Sequence, residues 1–197
     1  MKNNPRIHHR RSIRLKNYDY ASPGAYFVTM VTHGRQCLFG QIVDGKMQLN
    51  ECGEIVRDEW LKTEIVRPRV QLDLFVIMPN HIHGIIILND DVYCRGTLQR
   101  APTTITQTQR APTITQTQRA PTFEQFGKPT SDSIPTMIRL FKSATTKRIN
   151  EYRNTPAVPV WQRNYYEHII RNETEWKRIR QYIINNPIHW KNDKNYS

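Results

Sequence analysis

Cysteine is scarce in this chain of 197 residues, which contains only Cys37, Cys52 and Cys94. Their odd number, their wide spacing and the lack of a Cys-x-x-Cys pair support neither a disulfide framework nor a zinc ribbon. Long apolar runs are also missing. No run reaches the roughly 18 residues of a membrane span, and no signal-peptide pattern follows the basic N-terminus. We therefore expect a cytoplasmic protein without a membrane partner.

Acidic residues are in the minority: 17 Asp and Glu stand against 29 Lys and Arg, which gives a formal net charge of +12. A charge so far from zero favours a polyanionic partner, nucleic acid first and an acidic membrane surface second. Residues 1–20 are especially basic, and their cations include Arg10, Arg11, Arg14 and Lys16. We interpret residues 1–20 as an arm that contacts DNA phosphates, with a solvated tail as the alternative.

The stretch from Val70 to Leu88 predicts two apolar strands joined at Met78-Pro79-Asn80, because Pro interrupts a strand ladder. His81 and His83 open the second strand. Side chains alternate along a strand, so we expect both imidazoles on one face, with Ile82 and Ile85 on the other. Two imidazoles on one face can bind one metal ion and leave room for a third ligand, water and substrate. Two structural histidines are the alternative interpretation.

The remaining patterns predict strands and helices around this pair. The expected elements are a strand at 25–33, a hairpin of 36–43 and 46–49 turning at Asp44-Gly45, helices at 51–65 and 133–152, an extended segment at 160–170 and a last helix from 172 to 185 or 186. The length fits a single domain. Residues 90–130 contain the near-copies APTTITQTQR and APTITQTQR, which we interpret as a disordered low-complexity insertion within that domain.

The last helix carries a second group of candidate residues. Tyr182 and Asn186 are four residues apart and share one side of the helix, and Arg178 lies one turn before Tyr182. Asn186 could supply a carbonyl oxygen as the third metal ligand, and Tyr182 could place its phenol near a phosphorus atom. The alternative is that Tyr182 is a packing aromatic and that Asn186 simply ends the helix before Pro187.

These motifs resemble those of a known family. Met78-Pro79-Asn80-His81-Ile82-His83 resembles the His-hydrophobe-His motif of the HUH single-strand DNA endonucleases. The segment 182–187 (YIINNP), downstream of Trp161-Gln162-Arg163, resembles the tyrosine helix of the one-tyrosine transposases. The match is best with the REP-associated tyrosine transposases, relatives of the IS200-like transposases.

The resemblance implies an α+β fold, with a central antiparallel sheet flanked by helices in a ferredoxin-like arrangement. It implies a divalent metal, Mg²⁺ or Mn²⁺, bound by His81, His83 and Asn186, with Tyr182 as the nucleophile. The implied substrate is single-stranded or hairpin DNA, often a repetitive extragenic palindrome, which is cut and rejoined through a 5′-phosphotyrosine. A monomer and a homodimer both remain open.

The resemblance gives Gly24 a role, and position in the sequence makes three more residues candidates. Gly24 lies where relatives have a glycine-rich turn that reads a short guide sequence beside the hairpin, and Arg178 is a DNA-binding candidate. Glu167 and His168 are candidates for assisting proton transfer or supporting the metal site, with a purely structural role as the alternative.

Three other functions compete with this one. A histidine-triad nucleotide hydrolase would need a third His where Ile85 stands. A metal-dependent hydrolase that uses metal-bound water would not need Tyr182. A non-catalytic hairpin-binding relative would need neither the histidines nor the tyrosine.

Overall fold

Antiparallel strands build the central sheet of this protein, whose computed structural model describes residues 18–90 and 132–196. In chain order the described elements are β1 (Gly24–Val31), β2 (Gly40–Val43), β3 (Lys46–Leu49), α1 (Glu51–Ile65), β4 (Val70–Met78), β5 (His81–Leu88), α2 (Ile134–Arg153), β6 (Tyr166–Ile170) and α3 (Glu173–Asn185). Arg10, Arg11, Arg14 and Lys16 lie outside the described residues, as does almost all of the predicted insertion.

The strand order identifies the arrangement. The main sheet runs β4-β5-β1-β6, and every neighbouring pair in it is antiparallel. With α1 between β1 and β4, and α2 between β5 and β6, the sheet and these two helices form the βαββαβ unit of ferredoxin-like folds. The predicted α+β fold with a central antiparallel sheet flanked by helices is confirmed. The separate β2–β3 hairpin precedes α1 and turns at Asp44-Gly45, where both residues have positive φ.

The two faces of the sheet pack against different helices. On one face, α1 and α2 cover alternate residues of the central strands, among them Val28, Met30, Ile82 and Ile86. On the other face, α3 inserts Ile179 and Ile183 between Phe27, Ile85 and Ile87. Our expectation that Ile85 faces away from the histidines was wrong, because residues 81, 83 and 85 have the same parity along β5 and so share a face.

Local sequence explains most element ends. Asn50, Ser133 and Asn172 each accept a hydrogen bond from a backbone N–H in the first turn of the helix that follows. The strand predicted at 25–33 ends earlier, at Val31, because the chain enters a 3-10 turn at His33–Arg35, where Gly34 has a φ of 63°. The extended segment predicted at 160–170 is a strand only from Tyr166, and Trp161 forms a single bridge with Thr32.

β5 ends and α2 begins at the same end of the sheet. There Gly24 pairs with Leu88, whereas Val31 pairs with His81 at the opposite end. The backbone N–H of Ile134 donates to the Tyr20 carbonyl at 3.1 Å, so α2 begins beside the segment that precedes β1. In residues 18–90 and 132–196, no helix combines the length and apolarity needed to cross a membrane.

Candidate active site

The paired histidines lie at the centre of the fold, on the face of β5 that α3 covers. Their side chains are buried, at 0% and 1% exposure for His81 and His83. The two Nε2 atoms are 3.0 Å apart. Strand alternation therefore brings the two imidazoles together, as the sequence predicted.

Neighbouring side chains fix the orientation of each ring. Asn80 donates its amide protons to the carbonyls of Arg35 and Asn195, so its Oδ1, 2.8 Å from His81 Nδ1, accepts from that imidazole. Thr29 Oγ1 is 2.7 Å from Nδ1 of His83. Because both Nδ1 atoms are engaged in this way, both Nε2 atoms point into the shared space.

Burial also sets the charge of the pair. Removal from water lowers the pKa of His81 to about 4, although the Asp193 carboxylate opposes the shift. The pKa of His83 falls well below its ordinary value because of burial and, to a smaller degree, the neighbouring His81. At neutral pH both imidazoles are therefore uncharged, which is the form that binds metals.

Helix α3 brings Tyr182 over this pair. Its hydroxyl lies 3.1 Å from Nε2 of His83, and its ring packs edge-on against Phe27, with a centroid separation of 6.1 Å. The side chain is 39% exposed, so the phenol is open to solvent rather than sealed in the core. Partial burial of the side chain raises the pKa of Tyr182 to about 12, and the Asp193 carboxylate adds to that rise.

Asn186 follows Tyr182 by one turn and is 3% exposed. Its Nδ2 donates to Oδ2 of Asp193 at 3.1 Å. Its Oδ1 is buried and has no hydrogen-bond partner, which is costly for an amide oxygen. A cation within reach would satisfy that oxygen, and the role of Asn186 as third ligand stays a prediction.

Asp193 is the site residue that sequence reasoning missed. The segment after α3 folds back beneath the site, where Trp190 packs against His81 and Asn195 accepts from Asn80. This path brings Asp193 Oδ2 within 3.4 Å of the Tyr182 hydroxyl, which donates to it. The available signal was weak: Asp193 is the one acidic residue after Glu175 in the sequence.

The donor atoms fit a divalent cation. One donor atom each from His81, His83 and Asp193 lies within 4.8 Å of the others. Two neutral imidazoles, one carboxylate and the unpaired amide oxygen of Asn186 form a mixed nitrogen and oxygen set of the kind that binds divalent metals.

A cleft of about 790 Å³ opens at Tyr182, and we call it the Tyr182 cleft. Its walls include Thr29 and His83 from the sheet, Tyr166 from β6, Arg178 from α3 and Lys194 from the C-terminal segment. The Arg178 side chain is 75% exposed, with its guanidinium 3.8 Å from Glu175. The predicted DNA-binding position of Arg178 thus lies at the cleft wall.

Other predicted residues lie apart from the histidines. Gly24 is at the far end of β1. Glu167 is on the α1–α2 face of the sheet, where its carboxylate accepts from the Tyr165 hydroxyl. His168 is on the α3 face but is bound to Glu175, 2.6 Å away at the start of α3. The structure therefore brings neither Glu167 nor His168 to the imidazole pair.

Comparison with known proteins gives relatives of two kinds. The chain is 42% identical over 197 residues to an uncharacterized protein of Haemophilus influenzae, a match that covers 99% of this chain and 97% of the relative. No protein-family model matches the sequence. Among solved structures, a REP-associated tyrosine transposase bound to a REP hairpin is similar in fold, with a TM-score of 0.52 and 17% sequence identity. That similarity covers 92% of this chain and 74% of the other.

Sequence identity thus establishes kinship with the Haemophilus influenzae protein. Three-dimensional similarity confirms the fold that the His-Ile-His and tyrosine-helix motifs predicted. The chain belongs to one family with the Haemophilus influenzae protein, and its fold is that of a REP-associated tyrosine transposase.

Proposed function

We propose that this protein is a metal-dependent tyrosine endonuclease and strand transferase that acts on single-stranded, hairpin-containing DNA of the REP kind. The observation that supports this most directly is the 3.1 Å contact between the Tyr182 hydroxyl and Nε2 of His83, at the edge of an open cleft. A nucleophile beside a cluster of metal ligands is the arrangement that phosphodiester transfer requires.

The proposed reaction forms one bond and breaks one. The phenolic oxygen of Tyr182 attacks phosphorus, and the bond from phosphorus to the 3′ oxygen breaks. The proton of the phenol passes to solvent water, to which the partly exposed Tyr182 side chain is open. The departing 3′ oxygen takes up a proton from solvent. The products are a 5′-phosphotyrosine and a free 3′-hydroxyl, and attack by such a hydroxyl on the phosphotyrosine rejoins the strand without ATP.

His81, His83 and Asp193, together with the amide oxygen of Asn186, are the residues that would hold the metal. A divalent ion, Mg²⁺ or Mn²⁺, would supply positive charge that offsets the phosphate oxygens and favours the phenolate. The raised pKa of Tyr182 supports this requirement, because at neutral pH the phenol keeps its proton unless positive charge is placed beside it.

The proposal of a DNA partner is supported by the net charge and by the fold. A net charge of +12 favours a polyanion, and the transposase of similar fold was solved with a REP hairpin. Arg178 and Lys194 give the cleft walls positive charge where a strand would enter. The proposal also includes contacts to DNA phosphates by Arg10, Arg11, Arg14 and Lys16. Gly24 would contact the flank of the hairpin.

The test is a search for the covalent intermediate. Single-stranded hairpin oligonucleotides and Mn²⁺ are incubated with the protein, and we expect a protein–DNA adduct that resists denaturation. Tyr182→Phe removes only the nucleophilic oxygen and should abolish the adduct. Tyr152→Phe is the matched control, because Tyr152 is 60% exposed near the end of α2, outside the Tyr182 cleft.

Two outcomes would contradict the proposal. Cleavage without any adduct, retained in Tyr182→Phe, would show a hydrolase that uses metal-bound water. Hairpin binding without cleavage under all metal conditions would show a non-catalytic DNA-binding protein.

A further inference from the structure

Tyr166 is an exposed aromatic residue beside the proposed nucleophile. It opens β6, the edge strand of the sheet, and pairs with Thr29, whose hydroxyl contacts His83. The Tyr166 side chain is 44% exposed and lines the Tyr182 cleft.

The ring of Tyr166 is held from behind. It packs edge-on against Phe27 at a centroid separation of 6.2 Å, and Phe27 packs against Tyr182 in the same manner. One aromatic side chain therefore separates Tyr166 from the nucleophile. Phe27 is itself 8% exposed, so it gives the Tyr166 ring a rigid support.

We propose that Tyr166 is a stacking platform for an unpaired base of the nucleotide next to the cleaved phosphate. This inference rests on the proposed function and adds to it a binding subsite for one nucleotide. A flat, supported and solvent-facing ring inside a cation-lined cleft is the arrangement that proteins use to bind single strands, with stacking on the base and positive charge along the backbone.

Lys194 currently covers the ring, with its Nζ 5.3 Å from the Tyr166 centroid. A cation over an exposed ring is held weakly, whereas stacking of a base on an aromatic ring is generally the stronger contact. An incoming base therefore displaces the ammonium group, which is then free to contact the phosphate attached to that base. Arg178 offers a second cation at the same cleft.

This subsite would select for single-stranded DNA at one position. Only an unpaired base can turn its flat face onto Tyr166, whereas a base inside a duplex is already stacked and paired. Because every base has such a face, the subsite would read strandedness rather than sequence.

The experiment measures DNA binding without the chemical step. Hairpin oligonucleotides with single-stranded flanks carry 2-aminopurine at successive flank positions, and binding is followed by fluorescence in EDTA. Wild-type protein should quench one flank position. Tyr166→Phe keeps the ring and should preserve both quenching and affinity. Tyr166→Leu should lose that quenching and bind the flanked hairpin about tenfold more weakly.

Two controls isolate stacking from general effects. Tyr152→Leu removes a tyrosine that is more exposed than Tyr166 and lies outside the cleft, and it should bind as the wild type does. An oligonucleotide that is abasic at the quenched position should bind wild-type protein about as weakly as Tyr166→Leu binds the intact one, with little further loss when both changes are combined. Blunt duplex DNA should bind all variants equally.

The inference is overturned if Tyr166→Leu quenches 2-aminopurine and binds the flanked hairpin as the wild type does. If the covalent adduct forms and Tyr166→Leu behaves in this way, only the stacking subsite is excluded. If Tyr166-dependent quenching occurs but no adduct ever forms, the subsite stands and the nuclease proposal fails. If the wild type binds no flanked hairpin at all, both are overturned.

Discussion

Among the candidate metal ligands, Asp193 most needs an experimental test. It reaches the two histidines because the C-terminal segment folds back beneath them, which no local sequence pattern indicates. We predict that Asp193→Asn weakens Mn²⁺ binding by at least about tenfold, since it removes the carboxylate that lies beside the two imidazoles in the described part of the chain. Isothermal titration calorimetry with Mn²⁺ measures this directly.

The matched control is Asp44→Asn, which makes the same charge change at the β2–β3 turn. Asn accepts the positive φ of 49° that Asp44 adopts there, so the fold should be unaffected. Equal Mn²⁺ affinity in wild type, Asp193→Asn and Asp44→Asn would remove Asp193 from the ligand set.

At the scale of single residues, the sequence correctly predicted which candidate site residues share a face of a strand or a side of a helix. His81 and His83 share a face because strands alternate, and Tyr182 and Asn186 share a side because a helix turns every 3.6 residues. Asp193 follows no such period. Its position depends on long-range contacts such as those of Asn80 with Asn195 and of Arg35 with Lys194, which no local pattern encodes.

At the scale of elements, α3 is tied to the edge strand β4 by one ion pair. Arg180 donates to the Asp73 carboxylate, whose side chain is 13% exposed. Burial raises the pKa of Asp73, and the Arg180 charge opposes the rise. Removing Arg180 would therefore leave a buried carboxylate without its counter-charge, under the helix that carries Tyr182.

We predict that Arg180→Leu lowers the free energy of unfolding by about 1–3 kcal/mol at pH 7, a figure reduced because Arg180 is itself partly exposed. The loss should shrink as the pH falls, because protonation of Asp73 is favoured in the folded state and removes the unpaired charge. Urea unfolding at pH 7 and pH 4.5 measures both effects.

Lys177→Leu on the same helix is the comparison for that prediction. Lys177 pairs with Glu173 at the surface, with side-chain exposures of 73% and 55%, so its loss should change stability by no more than about 0.5 kcal/mol. A destabilisation in Lys177→Leu as large as in Arg180→Leu would contradict the special role of the Asp73 pair.

Element boundaries show where sequence patterns suffice. The N-terminal ends of α1, α2 and α3 were predicted correctly because each has a local capping residue. The segment before β6 was wrongly predicted as part of the strand. Trp161 lies in the core there and donates a hydrogen bond to Thr145 of α2. That contact links residues far outside any window of strand alternation.

At the scale of the whole molecule, the buried imidazoles couple folding to pH. The pKa of His81 is about 4 in the folded protein and near its ordinary value of about 6.5 in the unfolded chain. Between these values the unfolded chain binds more protons, so the stability of the metal-free protein should fall as the pH falls from 6.5 towards 4. His83 shifts in the same direction and adds to the effect.

Chemical unfolding in EDTA across this pH range tests the coupling, and we expect a loss on the order of 3 kcal/mol from His81 alone. His81→Gln should flatten the profile in part, whereas His33→Gln, at an exposed position in the 3-10 turn, should leave it unchanged. A flat wild-type profile would show that the imidazoles are not buried in the neutral form in solution.

The separation of the two ends of the sheet has an evolutionary consequence. β5 ends at Leu88, which pairs with Gly24, and α2 begins where Ile134 donates to the Tyr20 carbonyl. The histidines and Tyr182 lie towards the opposite end of β1. The two described ends that flank the segment with the APT-ITQTQR units therefore both lie away from the candidate metal site. Slippage of the corresponding DNA can add or delete copies between generations. Selection for the proposed activity would then act only weakly on the number of copies.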